Sequence, residues 1–238
     1  MLLQSFPSIP YKNPFPSEEM NARLDRIKSN WLPLFIQAAQ ASELPLELLV
    51  AKSCIESGGF QNISNGSYVG LMQLGKSTIS DCLDYLLGKM YADGKRWVAP
   101  INISNKLIPL IRRYFPAYDS QISTKKELAY QLAKSPTKNG AAFNILIGAI
   151  YLHFLCHNPK FIEGNTLRLD KVMSAYNTGP NYSFYKMPTT DTTQLVNIIQ
   201  STKALTLSKK SETSRHILKF CGIGGAFDIL FNKKYSLL

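Results

Sequence analysis

The stretch Pro45-Leu46-Glu47-Leu48-Leu49-Val50-Ala51-Lys52-Ser53-Cys54-Ile55-Glu56-Ser57-Gly58-Gly59-Phe60 decides how this chain is read. Proline suits the first position of a helix, where its missing N–H costs nothing. The largely apolar run that follows predicts a helix from Leu46 to about Ser57, and Gly58-Gly59 stops it. Glu56 is thereby delivered in the last turn. A carboxyl there faces desolvation by apolar neighbours and the negative end of the helix dipole, and both favour its protonated form. A general acid must hold its proton at neutral pH. A glutamate at a helix end is by default a solvated surface group; Ser57, Gly58 and the segment Gly70–Gln73 weigh against that default.

Outward from this helix, period-3.6 patterning dominates and strand-like alternation is hard to find. Ser17 before Glu18 and Glu19 reads as a capped helix start, with Pro33 dividing that segment into two helices before Ala41-Ser42. Further helices are expected near Thr78–Leu87, Ile103–Arg113 and Thr124–Lys134, the last opened by a capping box of Thr124 and Glu127. Asn139 to Cys156 is apolar nearly all round, as a central buried helix is. Helices near Leu169–Tyr176, Thr192–Ser201 and Glu212–Phe220 complete an all-α expectation. No internal repeat or low-complexity linker forces a boundary.

The 238 residues, 45% of them hydrophobic, suffice for a substantial core. The formal net charge of +11 points to an anionic partner, for which nucleic acid, an acidic membrane face and a bacterial cell wall all qualify. Basic residues come as scattered pairs (Arg112-Arg113, Lys125-Lys126, Lys209-Lys210, Lys233-Lys234), with no recognised nucleic-acid module or aromatic-interleaved basic stripe, so nucleic acid is not the expected partner. Cys54, Cys82, Cys156 and Cys221 are far apart and read as free, buried thiols. The residues Met1–Pro7 carry no basic region followed by a long apolar stretch, so no signal peptide is expected, nor is any span expected to cross a bilayer. His153, Cys156 and His157 have helical spacing that could hold a metal, but without a further ligand cluster the end of a buried helix explains them better; no metal and no cofactor are expected. Gly222-Ile223-Gly224-Gly225 lacks the strand and lysine of a phosphate loop and reads as a turn before the apolar Ala226–Phe231.

Three separated segments carry a family resemblance. The first is Ile55-Glu56-Ser57-Gly58-Gly59-Phe60, followed by Gly70-Leu71-Met72-Gln73-Leu74 with Thr78 beyond it. The second is Asn144-Ile145 with Gly148-Ala149 and Tyr151-Leu152, and the third is Ala175-Tyr176-Asn177-Thr178-Gly179-Pro180. Together and in this order they resemble the motif regions of the soluble lytic transglycosylases, whose catalytic domain is lysozyme-like. The resemblance spans roughly residues 44 to 182. It implies an all-α, lysozyme-like catalytic domain at 44–185 with an enlarged helical insertion at about 79–138. An N-terminal helical extension (1–43) and a C-terminal helical tail (186–238) lie outside it. Ser67 stands where the family commonly has glycine.

What the resemblance implies is a lyase that degrades the cell wall by cleaving peptidoglycan between N-acetylmuramic acid and N-acetylglucosamine. Most glycosidases need two carboxylates. No second acid accompanies these motifs, and Asp81 and Asp84 in the next helix read as caps or solvated positions. By the resemblance, the substrate's acetamido group and 6-hydroxyl supply what is missing, and Glu56 acts first as acid and then as base, leaving a 1,6-anhydro end. Tyr176 would orient Glu56. Ser57, Leu71, Met72 and Gln73 would line the sugar subsites, the first two of the loop positions (Leu71 and Met72) through their backbones. Asn177 would assist binding, and Tyr151 would face the cleft, with core packing of its ring as an even alternative. A hydrolytic muramidase on the same fold, or a non-catalytic component of a larger assembly, are the rival readings. A wall-directed site without a signal peptide suggests delivery by a phage particle, with phage structural proteins as partners, or next by a secretion apparatus.

Overall fold

A computed structural model describes residues 2–3, 9–12, 17–92, 94–118, 125–232 and 234–238. The protein is mostly helical, with few and short strands. Most of Met1–Pro7, Thr124 of the expected capping box and Lys233 lie outside the described residues. The chain divides into two compact units, Ala22–His153 and a second made of Met1–Asn21 with Phe154–Leu238. This division cuts within two helices and so follows a different line from the segments expected at 1–43, 44–185 and 186–238.

Short strands β1 (Leu2–Leu3) and β2 (Ile9–Lys12) precede α1 (Ser17–Ser42), which is one helix of 26 residues. The break expected at Pro33 is therefore corrected. Proline forfeits one ladder bond, but Pro33 is exposed, so its ring meets no packed neighbour, while Met20, Leu24, Ile27 and Phe35 are fully buried and hold the helix through the site. Next comes α2 (Leu46–Glu56), capped N-terminally at Pro45 and followed by Gly58 and Gly59 at φ +61° and +85°, the stop that the sequence predicts. The following residues form a hairpin of β3 (Ser64–Asn65) and β4 (Tyr68–Val69) where no strand was expected. Two-residue strands are too short to show alternation, which is why sequence periodicity missed them.

In the same unit α3 (Lys76–Leu86) leads through the hairpin of β5 (Met90–Ala92) and β6 (Lys95–Trp97) to α4 (Ile101–Tyr114) and α5 (Lys126–Lys134). The buried Ile103, Leu107 and Ile111 recur every fourth position, so α4 has one apolar stripe and tolerates exposed Pro109 on its other face. Asp81 and Asp84 lie inside α3, whose N-cap is Gly75, so neither is a cap; Asp84 pairs with Lys126 at 3.8 Å. Helix α6 (Lys138–Cys156) follows, its 19 residues long and apolar enough to cross a membrane by length and composition. That corrects the expectation that no span is long enough. Its apolar window is 94% buried within the protein, as befits the central helix that the sequence predicts.

The second unit holds β7 (Ile162–Glu163), β8 (Thr166–Leu167), α7 (Leu169–Thr178), α8 (Thr192–Ser201), α9 (Leu207–Cys221), β9 (Gly222–Ile223) and α10 (Ala226–Phe231). Strands β1, β8 and β7 form one small sheet, and β2 pairs with β9 in another. Helix α9 begins five residues before the expected Glu212, because Thr206 caps it by accepting from the N–H of Lys209. It packs on α7, α8 and α10 around Val172, Met173, Leu195, Ile199, Ile217 and Phe220. All four cysteines are free and buried, and burial pushes the Cys156 thiol up to about 12.

Helix α7 is fixed by a charge network whose members are nearly all buried. Arg168 donates through Nη2 to Asp170 at 2.7 Å and through Nη1 to Glu163 at 2.6 Å, and also bonds the Thr189 carbonyl. Lys171 donates to Glu163 at 2.5 Å and to the carbonyls of Tyr185 and Met187, while Thr192 donates to Asp170. Two cations face two carboxylates, so desolvation is offset inside the group. Burial works against ionisation of Glu163, but the hydrogen bonds from Lys171 and Arg168 outweigh it and hold the carboxyl below its ordinary range. A carboxyl held low contributes stability above its unfolded value that is lost as pH falls through the folded one. Asp170→Ala, which leaves the Arg168 charge buried without that partner, is expected to cost about 3 kcal/mol. Amide protection along α7, corrected for the intrinsic exchange rate at each pH, measures it: lower protection in the variant, and in the parent as pH falls below the usual carboxylate range, is the expected result.

Candidate active site

Glu56 is the last residue of α2, its side chain one-tenth exposed, and its Oε1 lies 2.5 Å from Nζ of Lys52, whose side chain is fully buried. The two stand four residues apart on one face of the helix. Sequence reasoning attended to the motif after Glu56 and missed Lys52; the i, i+4 spacing of opposite charges on an otherwise apolar helix was the available signal. The consequence is chemical. Burial and the helix terminus favour the neutral acid, whereas an ammonium in contact favours the carboxylate. The site therefore sets two opposed influences on one proton.

The end of α2 is also capped from α1. Arg23 donates to the Cys54 carbonyl at 3.1 Å, Arg26 to the Gly58 carbonyl at 2.5 Å, and the Trp31 indole N–H to the Gly59 carbonyl at 2.9 Å. These donors satisfy carbonyls at and beyond the helix end, and the two guanidinium groups complement its negative pole. The Arg26 guanidinium lies 3.8 Å from the Phe60 ring centroid.

The segment Gly70–Leu74 folds into a tight turn, with Gln73 N–H on the Gly70 carbonyl and Val69 and Leu74 exchanging hydrogen bonds. Its remaining backbone groups are held by side chains. The Met72 N–H donates to Asn144 Oδ1 at 2.8 Å, and Asn144 Nδ2 donates to the carbonyls of Val69 and Ala133. The Leu71 N–H donates to Gln61, and Ser53 donates to the Leu71 carbonyl. Gly70 sits at φ +75°, and a Cβ there would fall 2.3 Å from Asn144 Nδ2, so only glycine allows this approach. A Cβ at Gly148 would meet the Met72 side chain at 2.5 Å. The second motif thus exists to seat the first: Asn144 grips the turn and Gly148 makes room for Met72.

Of the expected site residues, Glu56, Ser57, Leu71, Met72, Gln73 and Tyr151 belong to the unit Ala22–His153, and Tyr176 and Asn177 to the other. Ser57 is buried, its hydroxyl donating to the Ser53 carbonyl and accepting from Gly59 N–H. Leu71 and Met72 are fully buried, and their N–H groups are engaged as described. Gln73, half-buried, has φ +45° and donates through its side chain to the carbonyls of Ile63 and Gly70. Tyr151 is buried on α6 and Tyr176 on α7. Asn177 accepts from Lys209 Nζ at 2.5 Å, which fixes the orientation of its amide, and its Nδ2 is buried with no hydrogen-bond partner among the described residues. His153 Nδ1 lies 2.9 Å from the Ser42 carbonyl, and no group of three or more potential metal ligands occurs among the described residues.

No protein-family model matches the chain, and no curated protein matches it significantly. The site is read from its own geometry.

Asn144→Leu keeps the volume of the side chain and removes its hydrogen bonds, leaving the Met72 N–H and the Val69 carbonyl buried without this partner. Each such group costs about 1 to 3 kcal/mol. The expected loss is therefore several kcal/mol, read as a lower urea midpoint, whereas a change within about 0.5 kcal/mol would remove Asn144 from this role.

Proposed function

We propose that this protein is a peptidoglycan lytic transglycosylase on a lysozyme-like helical fold. It would cleave between N-acetylmuramic acid and N-acetylglucosamine and leave 1,6-anhydro ends. The observation that carries the reading is the place of Glu56. It closes an apolar helix, is nearly buried, touches an ammonium, and is followed by a hairpin and a turn that buried side chains hold rigidly. The motif resemblance supplies the substrate class. Delivery to the wall by a phage particle, or otherwise a secretion machine, is part of the same proposal.

In this reading a glycan settling over Glu56 excludes water and penalises both charges of the Lys52–Glu56 pair, which moves the shared proton onto the carboxyl. Glu56 then gives that proton to the glycosidic oxygen as the bond to the muramic anomeric carbon breaks. The acetamido oxygen shields the cationic carbon. Glu56, now a carboxylate, takes the proton of the sugar's 6-hydroxyl as that oxygen closes on the anomeric carbon. No water is consumed, and the tethered hydroxyl is favoured over bulk water by effective concentration. The motif resemblance assigns Tyr176 the orienting role and Asn177 a binding role, and the Nδ2 of Asn177 is a donor without a partner among the described residues. Ser57, Gln73 and Tyr151 would shape the subsites, with the buried Leu71 and Met72 holding the turn behind them.

Purified protein incubated with intact sacculi should release muropeptides one water lighter than hydrolysis products and resistant to borohydride. Reducing ends that borohydride converts would make the protein a hydrolytic muramidase. Glu56→Gln should abolish release. Because it also leaves the Lys52 charge buried without the Glu56 counter-charge, the double variant Lys52→Met/Glu56→Gln is the better-folded inactive control.

Lys52→Met alone tests the pair. If Lys52 holds Glu56 in place and shares its proton, kcat should fall about tenfold or more with KM nearly unchanged, since the loss lies in the reaction step. Equal changes in kcat/KM and stability with kcat intact would reduce Lys52 to a packing role.

A further inference from the structure

Helix α1 lies outside the stretch that resembles the transglycosylases, yet it lines a recess whose other wall, from Gly59 onward, follows the candidate acid closely in sequence. Arg26, Asn30 and Trp31 of α1 and Phe60, Gln61 and Asn62 are among the residues lining a cleft of about 480 Å³. Its wall on the Phe60 side begins within a few residues of Glu56. Phe60 is 44% exposed and Trp31 half-buried, so aromatic surface is open to a ligand. The Trp31 N–H is engaged by Gly59 and the Gln61 amide by Leu71, Ala133 and Ser135, which makes both residues scaffolding. Asn30 and Asn62 are exposed amides. The bond from Arg26 to Gly58 uses one of five guanidinium donors. No acidic residue lines the cleft.

This lining selects a ligand with small apolar groups and a free carboxylate. In peptide-bearing strands of the wall polymer the sugar rings are neutral and the lactyl carboxyl of each substituted muramic sugar is tied up as an amide, so the free carboxylates of such strands lie on the peptide stems. We infer that the cleft takes the peptide stem, its carboxylate on Arg26 and its methyl groups on Phe60 and Trp31. A guanidinium forks onto a carboxylate with two parallel hydrogen bonds, which a neutral sugar cannot reproduce. The inference rests on the proposed wall-directed function and adds that the protein reads peptide-bearing strands in preference to bare glycan, through residues of its N-terminal extension.

The test separates binding from cleavage. The stem peptide alanyl-γ-glutamyl-lysyl-alanine is titrated calorimetrically into the full protein, with neutral chitotetraose as the competing ligand. Wild type should bind the peptide, more weakly as salt rises, and chitotetraose should not displace it. Asn30→Asp and Asn62→Asp each place a carboxylate in the cleft that competes with the ligand for Arg26. Each should weaken peptide binding about tenfold while circular dichroism is unchanged, and two exposed positions guard against a folding failure at one. Absence of peptide binding, or binding indifferent to both variants, overturns the inference. So does displacement by chitotetraose, which would give the cleft to the glycan. Release of muropeptides from sacculi is scored in a separate assay, so that failure of the transglycosylase reading and failure of peptide recognition are seen independently.

Discussion

The side-chain amide of Asn144 stands in the middle of a helix buried nearly all round, and it is there because the neighbouring backbone needs it. An irregular turn such as Gly70–Leu74 cannot satisfy its own N–H and carbonyl groups, and once buried it must find partners among side chains. Asn144 offers a donor and an acceptor at once, taking the Met72 N–H and giving to the Val69 and Ala133 carbonyls. Gly70 and Gly148 then follow as steric consequences of that grip, each clearing the volume that a Cβ would occupy. Ser53 and Gln61 complete the harness from α2 and from the start of the hairpin. The end of the helix bearing Glu56 and the turn opposite it are thereby held by hydrogen bonds as well as by packing.

A buried ion pair adds little to stability, because the desolvation of both charges offsets their attraction. Lys52 and Glu56 are thus poorly explained as a fold-stabilising contact, and an apolar pair would pack at least as well. What the pair does provide is position, since the Lys52 ammonium holds the Glu56 Oε1 at 2.5 Å. The negative pole of α2 is also offset, since Arg23 and Arg26 place positive charge at its C-terminal end.

The helices were legible because burial leaves a period. Ile103, Leu107 and Ile111 mark one stripe, and Thr192–Ser201 matches the expected α8 at both ends because Asp191 caps it. The unbroken α1 was not legible: a proline signals a missing hydrogen bond and a clash with the carbonyl four residues back, but whether the helix breaks there depends on whether burial of its other side chains outweighs that cost. Short hairpins left no periodic trace. At the site, Glu56 and the positions of the glycines could be picked out. The tasks of the neighbours could not, because Ser57 and Met72 look alike in sequence whether they face a ligand or cap and fill the interior. Lys52 was visible as a spacing, and its burial was not.

The turn's internal commitments also constrain any ligand that approaches it. The N–H groups of Leu71 and Met72 are taken, and the Gln73 side chain spends its donors on the carbonyls of Ile63 and Gly70. A carbonyl oxygen has two lone pairs, so acceptor capacity outlasts donor capacity at such a turn. Leu71 and Met72 are themselves fully buried, so what the turn presents outward is the half-buried Gln73. On α7 the position is reversed. Asn177 has its oxygen occupied by Lys209 and its Nδ2 buried without a partner among the described residues, which is a costly arrangement unless an acceptor visits it.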